Sequence, residues 1–141
     1  MGKRTKYGFT VIEAMVALSV LGVLAAIGVP NYSRYAMRAS LLEASTTLAD
    51  YRTNMEHFYQ SNHTYAKDGA CGWAAPRQVA NFAISCTVAA SGEAFTAVAT
   101  GTGPSAGFVY TIDQANARGT QSIPSHWGEL PGDASHKWVT R

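Results

Sequence analysis

The side chains of this 141-residue chain that could do chemistry are four histidines, two cysteines, nine carboxylates and its serines. His57, His63, His126 and His136 include no i, i+4 pair, so spacing assembles no metal set from them. No serine is read as lying in a nucleophile elbow, and no two carboxylates are brought into one cleft by spacing alone. Gly101-Thr-Gly103 is no phosphate cradle: a proline follows it, no Lys-Ser/Thr pair comes next, and a strand rather than a helix is expected after it. Nothing in these patterns argues for an enzyme or for a bound cofactor. One acid stands apart. Glu13 interrupts an apolar run from Gly8 to Pro30, and a charge in hydrocarbon costs roughly 2.5 to 3.5 kcal/mol, so it needs a partner or a task.

The element that positions Glu13 reads as a membrane segment. From Ala14 to Ser33, twenty consecutive residues lack Asp, Glu, Lys and Arg and are rich in Val, Leu, Ile, Ala and Met. That is long enough for a helix to cross a bilayer, and residues 9–33 are assigned to a transmembrane helix. Before it stand only Met1 to Gly8, with Lys3, Arg4 and Lys6, which read as a leader peptide. A secretory signal would be cut after its apolar region, at an A-x-A-like site. The better boundary in this chain lies before it.

A short basic leader, Gly8, and then Phe9-Thr10-Val11-Ile12-Glu13 at the head of the apolar run closely resemble the type IV prepilin signal of bacterial pilins and pseudopilins. The resemblance implies that a prepilin peptidase cuts after Gly8 and methylates the new amino terminus on Phe9. Glu13 then becomes the fifth mature residue. Its partner would be the ammonium on Phe9, of the same subunit or of a neighbour. A pair between neighbours would set the axial register of a filament and neutralise both charges. The helix N-terminus also favours an anion in its first turn. Lys3, Arg4 and Lys6 against Arg34 and Arg38 give only a weak orientation bias. The resemblance decides it, with the leader in the cytoplasm and the head outside the inner membrane.

Three of the eleven Lys and Arg lie in the leader, so the mature side chains carry eight basic against nine acidic groups. From Gln60 onward Lys67, Arg77, Arg118, Lys137 and Arg141 balance Asp68, Glu93, Asp113, Glu129 and Asp133. No basic nucleic-acid footprint is visible in that balance, although local patches remain open. Cys71 and Cys86 offer one intramolecular pairing, which an exported chain would close under oxidising conditions. The loop, of about 15 residues, would contribute roughly 3 kcal/mol in the chain-entropy account. A redox pair or a metal set would call for a C-x-x-C spacing or a nearby His, and the chain has neither.

Gly22, Gly28 and Pro30 interrupt the helical run, and Pro30 removes one backbone hydrogen bond. Two readings stay open: a static kink, or a segment that loses helicity when subunits pack, as the resemblance implies. Past Pro30, Met37, Leu41, Ala44, Leu48, Tyr51, Met55 and Phe58 recur in steps of four and three, which predicts an amphipathic helix over 34–59. Arg38, Glu43, Asp50, Arg52 and Glu56 fall off that seam. The head, 60–141, is read as strands over 81–88, 94–99 and 107–113, with a fourth near Arg118 to Ile123. Short turn-rich spacers between them favour an antiparallel meander. Trp127 and Trp138 are expected to pack on the core.

The fold class is therefore α+β: a long N-terminal helix, half transmembrane and half amphipathic, packed on three or four antiparallel strands. This resembles a type IV pilin over the whole chain, and most closely the PilE-group minor pilins. Both cysteines precede Thr87, so the late disulfide loop typical of major adhesive pilins is absent. The resemblance implies a minor subunit of a type IV pilus, serving adhesion, twitching motility or DNA uptake. Its partners would be other pilin subunits, the prepilin peptidase and the pilus assembly platform, first in the inner membrane and then in the extracellular filament. Two alternatives remain: a pseudopilin of a type II secretion system, and a DNA-receptor pilin for competence, against which the neutral head argues.

Overall fold

The computed structural model describes residues 8–140, and leader residues Met1 to Tyr7, with Lys3, Arg4 and Lys6, lie outside the described residues, as does Arg141. The chain divides into two compact units, Met1–Ala36 and Met37–Arg141. One α-helix, α1 (Val11–Asn62), contributes to both.

In the first unit α1 is apolar around its whole circumference, and every side chain described there is exposed. Helicity is assigned without interruption through Gly22, Gly28 and Pro30. The loss of helicity implied for that segment is thus not present in this state. By length and composition the helix can cross a membrane.

In the second unit the expected seam is the buried one. Leu41, Ala44, Leu48, Tyr51 and Met55 are at most 2% exposed, with Met37 packed beside them. Helix α1 runs three residues past the expected end at Tyr59. It stops where His63 turns left-handed (φ 56°) and its N–H bonds the Tyr59 carbonyl at 2.7 Å.

A two-stranded hairpin follows, β1 (Ala66–Lys67) with β2 (Ala70–Cys71), and then a five-stranded antiparallel sheet. Its strands are β3 (Gln78–Val79), β4 (Phe82–Val88), β5 (Phe95–Gly101), β6 (Val109–Asp113) and β7 (Arg118–Ser122), paired in chain order. The meander matches expectation. The strand count exceeds it, because β3 is two residues long and so short a segment leaves no alternation to read.

Alternation aims Phe82 and Ile84, Phe95, Ala97 and Ala99, and Tyr110 and Ile112 at the helix seam, with Phe108 completing the core. Gly101 ends β5 where only a glycine fits: a Cβ there would lie 1.9 Å from the Ser105 carbonyl oxygen.

Candidate functional site

Gly8 and Phe9 precede the helix and are exposed, Phe9 by 75%. Thr10 caps it. The Glu13 N–H donates to Thr10 Oγ1 at 3.4 Å and to the Thr10 carbonyl at 3.1 Å, which puts Glu13 in the first turn. Thr-x-x-Glu is the spacing of a capping box, so the same acid sits where the helix's free N–H groups and positive end favour it. Among the described residues Glu13 makes no ion pair, and the next charged residue along the chain is Arg34.

The head's chemistry begins with the disulfide Cys71–Cys86, which ties the β1–β2 hairpin to β4 as expected. The histidines do not converge. Among the described residues no cluster of His, Cys, Asp and Glu could hold a metal ion.

One pattern was missed in the sequence. Gly103-Pro-Ser105-Ala-Gly107 has the spacing of a nucleophile elbow. Ser105, however, is fully buried in a three-residue 3-10 turn with a strand after it, and its Oγ lies 3.3 Å from Ser40 Oγ. With no imidazole beside it, Ser105 is a tie between α1 and the sheet.

Charge is distributed unevenly. Arg52 is spent on Glu56 at 3.6 Å and on the Gln114 carbonyl at 3.1 Å. Lys137 pairs with Asp133 at 2.5 Å, which holds the Asp133 carboxyl below its usual range. Arg118 lies over the Trp138 ring, 4.8 Å from its centroid. Arg38, Lys67 and Arg77 are exposed and make no ion pair with any described carboxylate. The five-against-five balance of the head therefore conceals cations that remain available.

Buried phenols hold the rest together. The Tyr51 hydroxyl donates to the Trp73 carbonyl at 2.7 Å, and the Tyr65 hydroxyl donates to Glu56 Oε1 at 2.9 Å. Burial pushes both up to about 12, with the neighbouring Glu56 carboxylate adding to the rise at Tyr65. The Tyr110 hydroxyl donates to the Val139 carbonyl and is raised further by burial.

The tail is laced to the sheet. Thr120 Oγ1 donates to the Lys137 carbonyl and accepts from the Val139 N–H, both at 2.9 Å, and Trp138 Nε1 donates to the Thr111 carbonyl at 2.9 Å. Trp127 stands edge-on to Phe108 at 4.8 Å. Both tryptophans pack on the core, as expected.

Comparison with known proteins fits this geometry. A family model described as "Type IV minor pilin ComP, DNA uptake sequence receptor" matches residues 30–109, and one for the prokaryotic N-terminal methylation motif matches residues 3–29. Fimbrial protein EcpC of Eikenella corrodens is 29% identical over 65% of this chain and 60% of its own length. Type IV major pilin protein PilA of Myxococcus xanthus is 36% identical over 42% of this chain and 27% of its own. Prepilin peptidase-dependent protein D of Escherichia coli is 43% identical over 35% and 34%. The chain thus spans 27% to 60% of the length of these relatives. A solved type IV pilin from Shewanella oneidensis aligns with a TM-score of 0.46 and 19% identity, over 58% of this chain and 89% of that one.

Proposed function

Because the chain belongs to the ComP family of type IV minor pilins, we propose that it is a minor pilus subunit whose head receives DNA for uptake. The observation that carries this reading is the family match over residues 30–109, which takes in the helix seam, the disulfide hairpin and β3 to β5. Prepilin peptidase cuts after Gly8 and methylates Phe9. The apolar half of α1 holds the subunit in the inner membrane, head in the periplasm, until the assembly platform moves it into the filament. Glu13, already placed at the helix start, pairs with the Phe9 ammonium of a neighbouring subunit. Gly22, Gly28 and Pro30 give the helix a place to bend or unwind as subunits pack.

For DNA, the available cations matter more than the net charge. Lys67 lies in strand β1 of the disulfide hairpin and Arg77 follows the hairpin in sequence; neither has an ion-pair partner among the described residues, although Asp68 beside Lys67 offsets part of its field. The test is duplex binding by the full chain in detergent as a function of salt. Affinity is expected to fall log-linearly with salt, and Lys67→Ala and Arg77→Ala should each reduce the slope by about 1. A pool of random duplexes carried through rounds of binding should converge on a short sequence. Salt-independent or absent binding would remove the receptor role and leave the pilin assignment standing.

A further inference from the structure

Between the second half of α1 and the loop that follows the disulfide hairpin lies a cleft of about 320 Å³. Thr47, Asp50, Tyr51 and Asn54 line it from the helix, and Trp73 and Pro76 line it from the loop. Clefts of roughly 300 Å³ and upward suit small ligands. The loop is pinned to the helix on both sides of one residue. The Trp73 carbonyl accepts from the Tyr51 hydroxyl at 2.7 Å, and the Trp73 N–H donates to Met55 Sδ at 3.4 Å. Cys71, two residues earlier, is tied to β4 by the disulfide. The Trp73 backbone is therefore fixed while its side chain stands 49% exposed. Among the described residues its ring stacks on no aromatic and carries no cation. A platform held in this way lowers the entropic cost of binding.

Charge then selects the ligand. Asp50 is the one charged residue on the lining; it is exposed, and among the described residues its carboxylate has neither an ion pair nor a hydrogen bond. The two cations nearest to the lining in sequence do not serve it. Arg52 is spent on Glu56 and the Gln114 carbonyl, and Arg77, next to Pro76, pairs with no described carboxylate. An anion would meet Asp50 with no cation on the wall to offset the repulsion. A neutral molecule can hydrogen-bond to Asp50, but it displaces water from a carboxylate without neutralising it. A cation neutralises Asp50 through a charge-assisted contact and is also attracted to the negative face of the Trp73 ring. The Asn54 side chain, unbonded among the described residues, can accept a further N–H.

We propose that this cleft binds an organic cation, its ammonium group set over the Trp73 indole and against the Asp50 carboxylate. Such a group is carried by free amines and by lysine side chains alike, and the choice of probes separates the two. The site presents a carboxylate rather than the cations assigned to DNA, and it stands whether or not the head receives DNA.

The experiment uses the full chain in an uncharged polyoxyethylene detergent. Choline and butylammonium serve as free amines and N-acetyl-lysine amide as the side chain. Dimethylbutanol, in which carbon replaces the nitrogen of choline, is the uncharged counterpart. Binding is read from tryptophan fluorescence and from the indole N–H resonance of Trp73. At least one cation is expected to bind saturably and about tenfold or more tighter than the alcohol. Asp50→Asn, at an exposed position, should remove that preference with the circular dichroism unchanged. Trp73→Phe should weaken cation binding less than Trp73→Ala. Glu43→Gln, at an exposed acid of α1 outside the cleft, should leave it unaltered. Tightest binding of choline or butylammonium assigns the site to a free amine, and tightest binding of the lysine amide assigns it to a partner protein. The proposal is overturned if no cation binds, if dimethylbutanol or galactose binds as tightly, or if Asp50→Asn leaves the preference for charge intact.

Discussion

Two stretches of one helix, residues 11–36 and 37–62, are built from similar side chains and meet opposite fates. Leu18, Leu24 and Ile27 are 61% to 69% exposed, whereas Leu41, Leu48 and Met55 are wholly buried. Helix propensity does not separate them, since both are helical throughout. The angular distribution of apolar residues does. In the second stretch they keep to one seam, and the chain's own sheet covers it. In the first they surround the axis, so no single sheet could cover them and burial must come from outside: lipid first, neighbouring helices afterwards. Lipid tails are as apolar as leucine, so that exchange is nearly neutral in hydrophobic terms, which leaves helix packing and polar contacts to direct it. Glu13 is the one charged side chain available for that between Gly8 and Arg34.

The largest expected effect follows from that asymmetry. Glu13→Ala should leave membrane insertion and the head intact while removing most of the chain from sheared pili, as read by quantitative mass spectrometry. Normal incorporation would show that packing alone directs assembly. Next comes a matched pair of truncations. Leu48→Ala, at a fully buried position, should cost about 2 to 5 kcal/mol in denaturation of the head. Leu24→Ala, at a position 61% exposed, should shift it by no more than about 0.5 kcal/mol. Equal costs would break the comparison. Opening the Cys71–Cys86 loop with paired serine substitutions should cost about 3 kcal/mol, again without effect on the apolar stretch.

Legibility followed the same division. The apolar stretch and the methylation motif at its head were readable because composition and a short motif carry them without any tertiary context. The seam from Met37 to Met55 and strands β4 to β6 were readable because period 3.6 and period 2 survive in the sequence when one face is buried. Strand β3 was not, being too short to show a period. The head's electrostatics were legible only as a sum, five against five. Which cations are spent depends on Glu56, Asp133 and the Trp138 ring, whose positions relative to Arg52, Lys137 and Arg118 no local pattern fully fixes.

The smallest predicted effect separates the two stretches by pH. Tyr51 and Tyr65 are core side chains of the head, and burial raises each from 10.0 to about 12. A phenol is neutral when protonated, so burial disfavours the phenolate and the folded head binds its proton more tightly than the unfolded chain does. Their contribution is therefore fully present below about pH 10, the unfolded value, and is lost as pH rises through the folded value near 12. In detergent, near-ultraviolet dichroism of the head should decay across that window while the helical signal from the apolar stretch persists. Tyr51→Phe removes one of these ionisations together with the bond to the Trp73 carbonyl. At neutral pH it should cost about 1 kcal/mol. Between pH 10 and 12 its stability should fall less steeply than that of the wild type, because one fewer buried proton is at stake. An unchanged slope would mean that Tyr51 ionises inside the folded head, and the head would then be less securely closed than the buried seam implies.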